Sequence, residues 1–194
     1  MDLLDNPNCS SYTLSEQISR QQALSTEILK VVNSSLYGLR HKVASIQHAI
    51  VLLGLSAVRS LVTSQSVSAV IARVFPELHD HSVAGGRAAM RIAVHVGLEE
   101  PEQYYTAGLV HDIGKVLIAD RMRSEFAEIC GIVAERGILV RDAEEEVLAC
   151  DHAAVGAWLL QWWQLPDGLV RAAANHHRVG AEGARDPMAA VVHL

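Results

Sequence analysis

The stretch "GLVHDIGKVLI", residues 108–118, sets two polar side chains, His111 and Asp112, between two apolar runs. Gly114 and Lys115 interrupt the apolar pattern directly after this pair. Imidazole and carboxylate groups are ligands that suit zinc, iron, nickel or manganese. The same pair could also be the polar end of a helix, so the stretch alone leaves both interpretations open.

The sequence on both sides of this stretch has the periodicity of helices and no strand-like alternation of any length. Thr13 and Glu16 form a capping-box pattern, and Ser45 and Gly54 are a predicted helix start and stop. Helices are predicted from about residue 13 and over 23–32, 46–53, 56–74, 81–96, 101–112, 124–136, 143–163 with a possible break near Asp151, and 166–177, and a last one begins in "PMAAVVHL". The sequence therefore predicts an all-α fold.

Pro76 marks a soft boundary between two predicted lobes, 1–75 and 80–194. The first lobe contains His41 and His48, and the other eight of the ten histidines follow it. This unequal distribution indicates that any metal chemistry lies in the second lobe.

Composition narrows the class of protein. Half of the 194 residues are apolar and the formal net charge is −6 without a basic run, which argues against binding to a nucleic-acid backbone. No uninterrupted apolar run approaches the roughly 18 residues of a membrane helix, and the first residues lack the pattern of a signal peptide. The three cysteines share no metal-like spacing, so we expect a cytoplasmic protein. Because "PMAAVVHL" resembles the opening of a helix, we also expect a chain truncated at one or both ends.

Several histidines of the second lobe fall near predicted helix ends. Ligands from different helices of a bundle can converge inside it. The candidates stand some 30 to 40 residues apart, so spacing alone does not prove convergence, and a single histidine is more often a surface residue. The candidate ligands are His81, His111, Asp112, His152, His176 and His177. The remaining histidines, at positions 41, 48, 79, 95 and 193, are assigned ordinary surface or hydrogen-bonding roles.

Three tryptophans follow His152 in "AWLLQWWQLP". Trp158 and Trp162 are four residues apart, and we interpret them as core anchors, with Trp163 more exposed. The alternative is an aromatic platform for a flat ligand.

Several longer motifs together resemble a known family. "LKVVNSSLYG" at 29–38 and "SIQHAIVLLGLSAVRSLV" at 45–62 resemble the first half of HDOD domains, which are bacterial signalling modules. "YTAGLVHDIGKVLI" at 105–118 and "DHAAVGAWLLQWWQLPDGLVRAAANHH" at 151–177 resemble the second half, in the same order. The resemblance covers essentially the whole chain.

The resemblance implies a two-lobed helical bundle whose second lobe is related to the HD phosphohydrolases and the HD-GYP cyclic-dinucleotide phosphodiesterases. It implies one or two divalent ions, of iron, manganese, nickel or zinc, held by His81, the pair His111 and Asp112, His152, and His176 or His177. Lys115 matches a lysine near the substrate phosphate. Fusion to a receiver or sensor domain is implied as well.

Two departures reduce the match to the catalytic relatives. The GYP motif does not follow His177, where the chain continues "RVGAEGARDP" at 178–187. The family's late aspartate would follow "VVHL", and Asp186 is not at the matching position. We therefore expect a signalling output domain that acts through protein contacts and has a reduced metal site. The alternative is a metal-dependent phosphohydrolase for a nucleotide or cyclic dinucleotide, with Asp112 on the metal and Lys115 offsetting phosphate charge.

Overall fold

The computed structural model describes residues 10–34, 37–178 and 186–193, and these residues form helices and no strand. The all-α prediction is confirmed. In chain order the helices are α1 Ser11–Arg20, α2 Gln22–Val32, α3 Ile46–Leu53, α4 Leu55–Val74, α5 Pro76–His95, α6 Pro101–Val110, α7 Ile113–Arg121, α8 Arg123–Arg136, α9 Val140–Leu148, α10 His152–Trp162, α11 Asp167–Asn175 and α12 Pro187–Val192. Cys9 and the first residues lie outside the described part of the chain.

The chain divides into two compact units, Met1–Val67 and Ser68–Leu194. The division falls inside α4, whereas the sequence places a soft boundary between residues 75 and 80, where α4 ends and α5 begins. By length and composition α4 is the one helix of the described residues that could span a membrane. One such helix is weak evidence for a span, and 44% of the stretch is buried within the protein.

The first unit is held together by an apolar core and by helix caps. Ser45 accepts a hydrogen bond from the backbone N–H of His48, and Gly54, with φ of 88°, ends α3, both as predicted. The predicted cap at Thr13 is wrong: Ser10 has the extended backbone of an N-cap and accepts from the N–H of Thr13. The fully buried large side chains of this unit are Leu14, Ile18, Ile28, Ile46 and Leu61.

In the second unit α5 begins earlier than predicted, at Pro76 rather than near residue 81. Proline is favoured at the first helical position because it has no N–H to leave unpaired and its φ is already helical. Pro101 opens α6 in the same way, as predicted. No helix was predicted over residues 113–121, but α7 occupies this stretch: Asp112 has φ of −97° and ψ of 11°, and α7 starts at the next residue.

The predicted break near Asp151 is confirmed. Ala149 takes a left-handed backbone with φ of 56° at the end of α9. Asp151 then caps α10 by accepting from the N–H of Ala154. This tight connection places the last turn of α9 beside the first turn of α10.

The prediction that Trp158 and Trp162 are core anchors is wrong. Their side chains are 60% and 70% exposed. The helix α10 turns a different face inward, and its buried residues are His152, Ala153, Gly156, Leu159 and Leu160. Spacing of four residues puts the two tryptophans on one face but does not say which face is buried.

Candidate metal centre

The structure brings all the candidate ligands of the second unit together. His81 comes from α5, His111 and Asp112 from the turn between α6 and α7, His152 from the first residue of α10, and His176 and His177 from the end of α11. The sequence placed all of these residues at or near helix ends, which is correct except for His81, because α5 begins at Pro76 and His81 lies within its second turn. Four chain segments meet around one point. That these residues bind a metal stays a prediction.

Two close helix contacts at glycine make this convergence possible. A Cβ on Gly108 would lie 2.6 Å from the carbonyl oxygen of Gly85, so α5 and α6 can touch only because neither residue has a side chain. A Cβ on Gly114 would lie 2.0 Å from the carbonyl oxygen of His152, and Gly156 packs against the same turn. The first contact brings α5 to the end of α6, near His111, and the second brings α10 to Asp112.

Asp112 lies at the centre of the cluster. Its Oδ2 is 3.4 Å from Nε2 of His81 and 3.4 Å from Nε2 of His111. Its Oδ1 is 3.1 Å from Nε2 of His152 and 3.5 Å from Nε2 of His176. The carboxylate is therefore shared between two sets of histidines, one on each oxygen.

In three rings of the cluster, the nitrogen that does not approach Asp112, Nδ1, is a hydrogen-bond donor. Nδ1 of His111 lies 2.8 Å from the carbonyl oxygen of Gly108, and Nδ1 of His176 lies 2.7 Å from that of Ala173. Nδ1 of His152 lies 2.6 Å from Oε2 of Glu144. Because a carbonyl or carboxylate oxygen can only accept, these Nδ1 atoms carry the protons, and a neutral ring then presents a lone pair at Nε2.

In neutral rings of His111, His152 and His176, the Nε2 atoms that approach Asp112 are consequently acceptors, with no proton between them and the carboxylate. Nε2 of His152 lies 3.3 Å from Nε2 of His176 and 2.9 Å from Nε2 of His177. Oδ1 of Asp112 is buried without a hydrogen bond of acceptable geometry, although Nε2 of His152 is 3.1 Å away. Lone pairs pointed at one another in a buried site repel unless a cation lies between them. The donor set thus fits a divalent metal ion.

The atoms that could donate a lone pair to a metal ion fall into two groups that share Asp112, called here the four-donor group and the three-donor group. Asp112, His152, His176 and His177 offer four atoms, and His81, His111 and Asp112 offer three, all within 4.8 Å of one another in each group. The four-donor group is buried except at His177, whereas the side chain of His81 is 56% exposed. Four protein ligands are typical of a structural metal site, and three leave a position open.

The protonation of the cluster is set by burial and by the two carboxylates. Burial lowers the pKa of His111 to about 4, and burial together with His176 lowers the pKa of His177 to about 4. Burial would raise the pKa of Asp112, but the surrounding histidines hold it well below its usual range. These are the neutral and ionised forms that bind metals.

His152 differs from His111 and His177. Burial disfavours its charged form, but Asp112 and Glu144 outweigh burial and raise its pKa. The ring lies between two carboxylates, so a proton competes with a metal ion here.

Lys115 lies beside the same centre. Its Nζ is 2.7 Å from Oδ2 of Asp112, and its side chain is 22% exposed. The ammonium group partly offsets the negative charge of Asp112, and it is near enough to the cluster to meet an anionic ligand.

Two features of the site were missed in the sequence. Glu144 lies on the inward face of α9 with Ala143 and the partly buried Val147. A glutamate among apolar residues on one helix face was the pattern that could have identified it. Gly85 and Gly86 lie inside a predicted helix, where glycine is unfavourable, but both are contact points with α6. His193, assigned an ordinary role, hydrogen-bonds through Nδ1 to the carbonyl oxygen of His176. Asp186, which does not match the position of the family's late aspartate, caps α12.

Comparison with known proteins agrees with this fold. The HDOD domain family matches residues 1–179. An uncharacterized protein of Treponema pallidum (strain Nichols) is 27% identical over 180 residues, which is 91% of this chain and 35% of that protein. The chain thus spans about a third of the length of this curated relative.

Two crystal structures share the fold. An HDOD domain protein of unknown function from Geobacter sulfurreducens superposes with a TM-score of 0.80 at 27% identity, over 98% of this chain and 66% of that one. A candidate phosphohydrolase from Shewanella amazonensis SB2B superposes with a TM-score of 0.80 at 25% identity, over 99% and 70%. The chain belongs to the HDOD domain family, and the resemblance found in the sequence is confirmed.

Proposed function

We propose that this chain is a signal-transduction output domain that acts through protein contacts, and that its buried cluster holds a divalent metal ion in a structural role. The four-donor group around Oδ1 of Asp112 carries the proposal. Four ligands, three of them buried, would complete the coordination of a four-coordinate ion and leave no position for a substrate. An ion that binds only the folded chain stabilises it, by about 2.7 kcal/mol at one hundred times its dissociation constant.

The contact surface that we propose lies on α10. Trp158 and Trp162 are exposed on this helix, and His152 at its first residue belongs to the cluster. Tryptophan is enriched among the residues that dominate the binding energy of protein interfaces. A metal ion that fixes His152 would also hold the helix that carries these two side chains. A receiver or sensor domain of a longer polypeptide is the kind of partner that we propose.

The test uses the variant Trp158→Ser/Trp162→Ser, which leaves every member of the cluster in place. We expect this variant to bind metal as the wild-type chain does and to lose affinity for a receiver or sensor domain that is expressed separately and binds the wild-type chain. A variant that retains the same partner with unchanged affinity would contradict the proposed surface.

A metal-dependent phosphohydrolase is a second candidate, and the three-donor group favours it. His81, His111 and Asp112 leave a coordination position open on the more exposed side. A divalent ion there would supply Lewis-acid chemistry toward a phosphoester. Lys115 would offset the charge of the phosphate, as would be needed for a nucleotide or cyclic dinucleotide.

Hydrolysis assays with manganese separate the two candidates. Nucleotides, cyclic dinucleotides and bis(p-nitrophenyl) phosphate cover the phosphoester class. Turnover that is lost in both Asp112→Asn and Lys115→Ala would favour the enzyme over the output domain. Metal bound without turnover on any of these substrates is the result expected for the structural ion.

A further inference from the structure

Glu144 is a buried carboxylate that the family resemblance did not point to. It is 2% exposed and lies one turn before the end of α9. A carboxylate so deeply buried is costly unless hydrogen bonds or opposite charges compensate for its lost hydration. Both of its observed hydrogen-bond contacts come from one residue, His152.

A single oxygen of Glu144 meets two donors of His152. Oε2 accepts from the backbone N–H at 2.8 Å and lies 2.6 Å from Nδ1 of the ring. The backbone N–H belongs to the first residue of α10, where helix geometry leaves it without an intrahelical partner. The carboxylate therefore caps the helix and holds the ring of the same residue at once.

This double contact fixes three properties of the His152 ring. It sets the side-chain rotamer, because the backbone and the ring are tied to one oxygen. It places the ring proton on Nδ1, because the carboxylate accepts. It leaves Nε2 with a lone pair directed at Oδ1 of Asp112 and at the other rings, at the distances given above.

From this geometry we infer that Glu144 is the positioning residue of the metal site, orienting His152 and fixing its tautomer for an ion in the four-donor group. The inference rests on the proposed metal-binding function and deepens it. Carboxylates that accept from the outer nitrogen of a metal-bound histidine also raise its basicity, and their loss weakens metal affinity by about 10- to 100-fold. Among the three rings whose Nδ1 contact is described, only His152 has a carboxylate as partner rather than a backbone carbonyl.

The test compares three variants of α9 by calorimetric titration of the whole chain with zinc or manganese. Glu144→Ala removes both contacts and is expected to weaken the dissociation constant by about 10- to 100-fold. Glu144→Gln keeps an oxygen that can accept from His152 and is expected to recover most of that affinity. The control is Glu145→Ala, an exposed neighbour on the same helix, which is expected to bind as the wild-type chain does.

A second measurement separates positioning from support of the fold. In ¹⁵N-resolved proton spectra of the metal-free chain, the Nδ1 proton of His152 is expected to be protected from exchange in the wild type and in Glu144→Gln. It is expected to exchange rapidly in Glu144→Ala. The inference would be overturned if Glu144→Ala bound metal with wild-type affinity or kept the protected proton. A wild-type chain that bound no metal would instead contradict the metal site, and the proton measurement would still decide the role of Glu144.

Discussion

The contact between Gly114 and the first turn of α10 can be tested by adding one methyl group. In Gly114→Ala the new Cβ would lie 2.0 Å from the carbonyl oxygen of His152 and 2.8 Å from the backbone nitrogen of Gly156. Ordinary contact begins near 3.4 Å, so the two backbones must separate by about 1.4 Å. Both neighbouring atoms belong to the backbone, so no side-chain rotation relieves the clash.

This separation has a cost in stability and a cost in metal binding. Overpacking of a well-packed interior typically destabilises by about 1 to 3 kcal/mol, and a backbone clash belongs at the upper end, near 3 kcal/mol. Moving α10 away also lengthens the distance of 3.1 Å between Oδ1 of Asp112 and Nε2 of His152. Two atoms that bind the same ion at about 2.1 Å each cannot tolerate a large increase, so metal affinity should fall with stability.

Urea denaturation followed by circular dichroism measures the change in the free energy of unfolding. Gly131→Ala is the matched control. A Cβ on Gly131 in the middle of α8 meets nothing within 4 Å, and alanine there is expected to stabilise by about 0.5 to 1 kcal/mol. A Gly114→Ala chain as stable as the wild type would refute the packing that brings Asp112 and His152 together.

Two further predictions concern surfaces away from the cluster. Asp186→Ala removes the cap of α12 and the ion pair with Arg171, and thermal denaturation should show a loss of about 1 kcal/mol. Burial raises the pKa of Asp186, but Arg171 and the capping N–H groups lower it overall, so this contribution is present above about pH 4 and is lost as the pH falls through the lower folded pKa. Equal losses for Asp186→Ala at pH 7 and at pH 2 would contradict that assignment. Trp158→Ser/Trp162→Ser should change the free energy of unfolding by less than about 0.5 kcal/mol per site, because exposed side chains contribute little; a loss above 2 kcal/mol would mean that these side chains are packed after all.

The sequence predicted the helices well because their signals are local. Caps such as Ser45, stops such as Gly54 and prolines such as Pro101 act within one turn, and each is in the predicted place. The prediction failed at the start of α1: Thr13 has the sequence pattern of a helix cap, but Ser10 has the extended backbone of the N-cap. The helix α7 was missed because Gly114 and Lys115 interrupt the apolar pattern within its first turn.

The candidate ligands could be named from the sequence, but their convergence could not. His81 and His177 are 96 positions apart, and nothing local relates them. Their meeting depends on helix contacts at Gly85 and Gly114 that appear in the sequence as interruptions of a helical pattern. The inward face of α10 is likewise decided by Gly156 against Gly114, which is why the tryptophans face outward.

The most direct test of the account is a metal titration of the purified chain, paired with the isosteric variant Asp112→Asn. In the proposed metal site, Asp112 contributes one oxygen to each group of histidines. The amide variant replaces one of these acceptors with a donor. We predict saturable binding of zinc or manganese to the wild-type chain, a rise in its melting temperature with metal concentration, and the loss of both in the variant. A wild-type chain that takes up no ion and melts at the same temperature with and without metal would contradict the central claim.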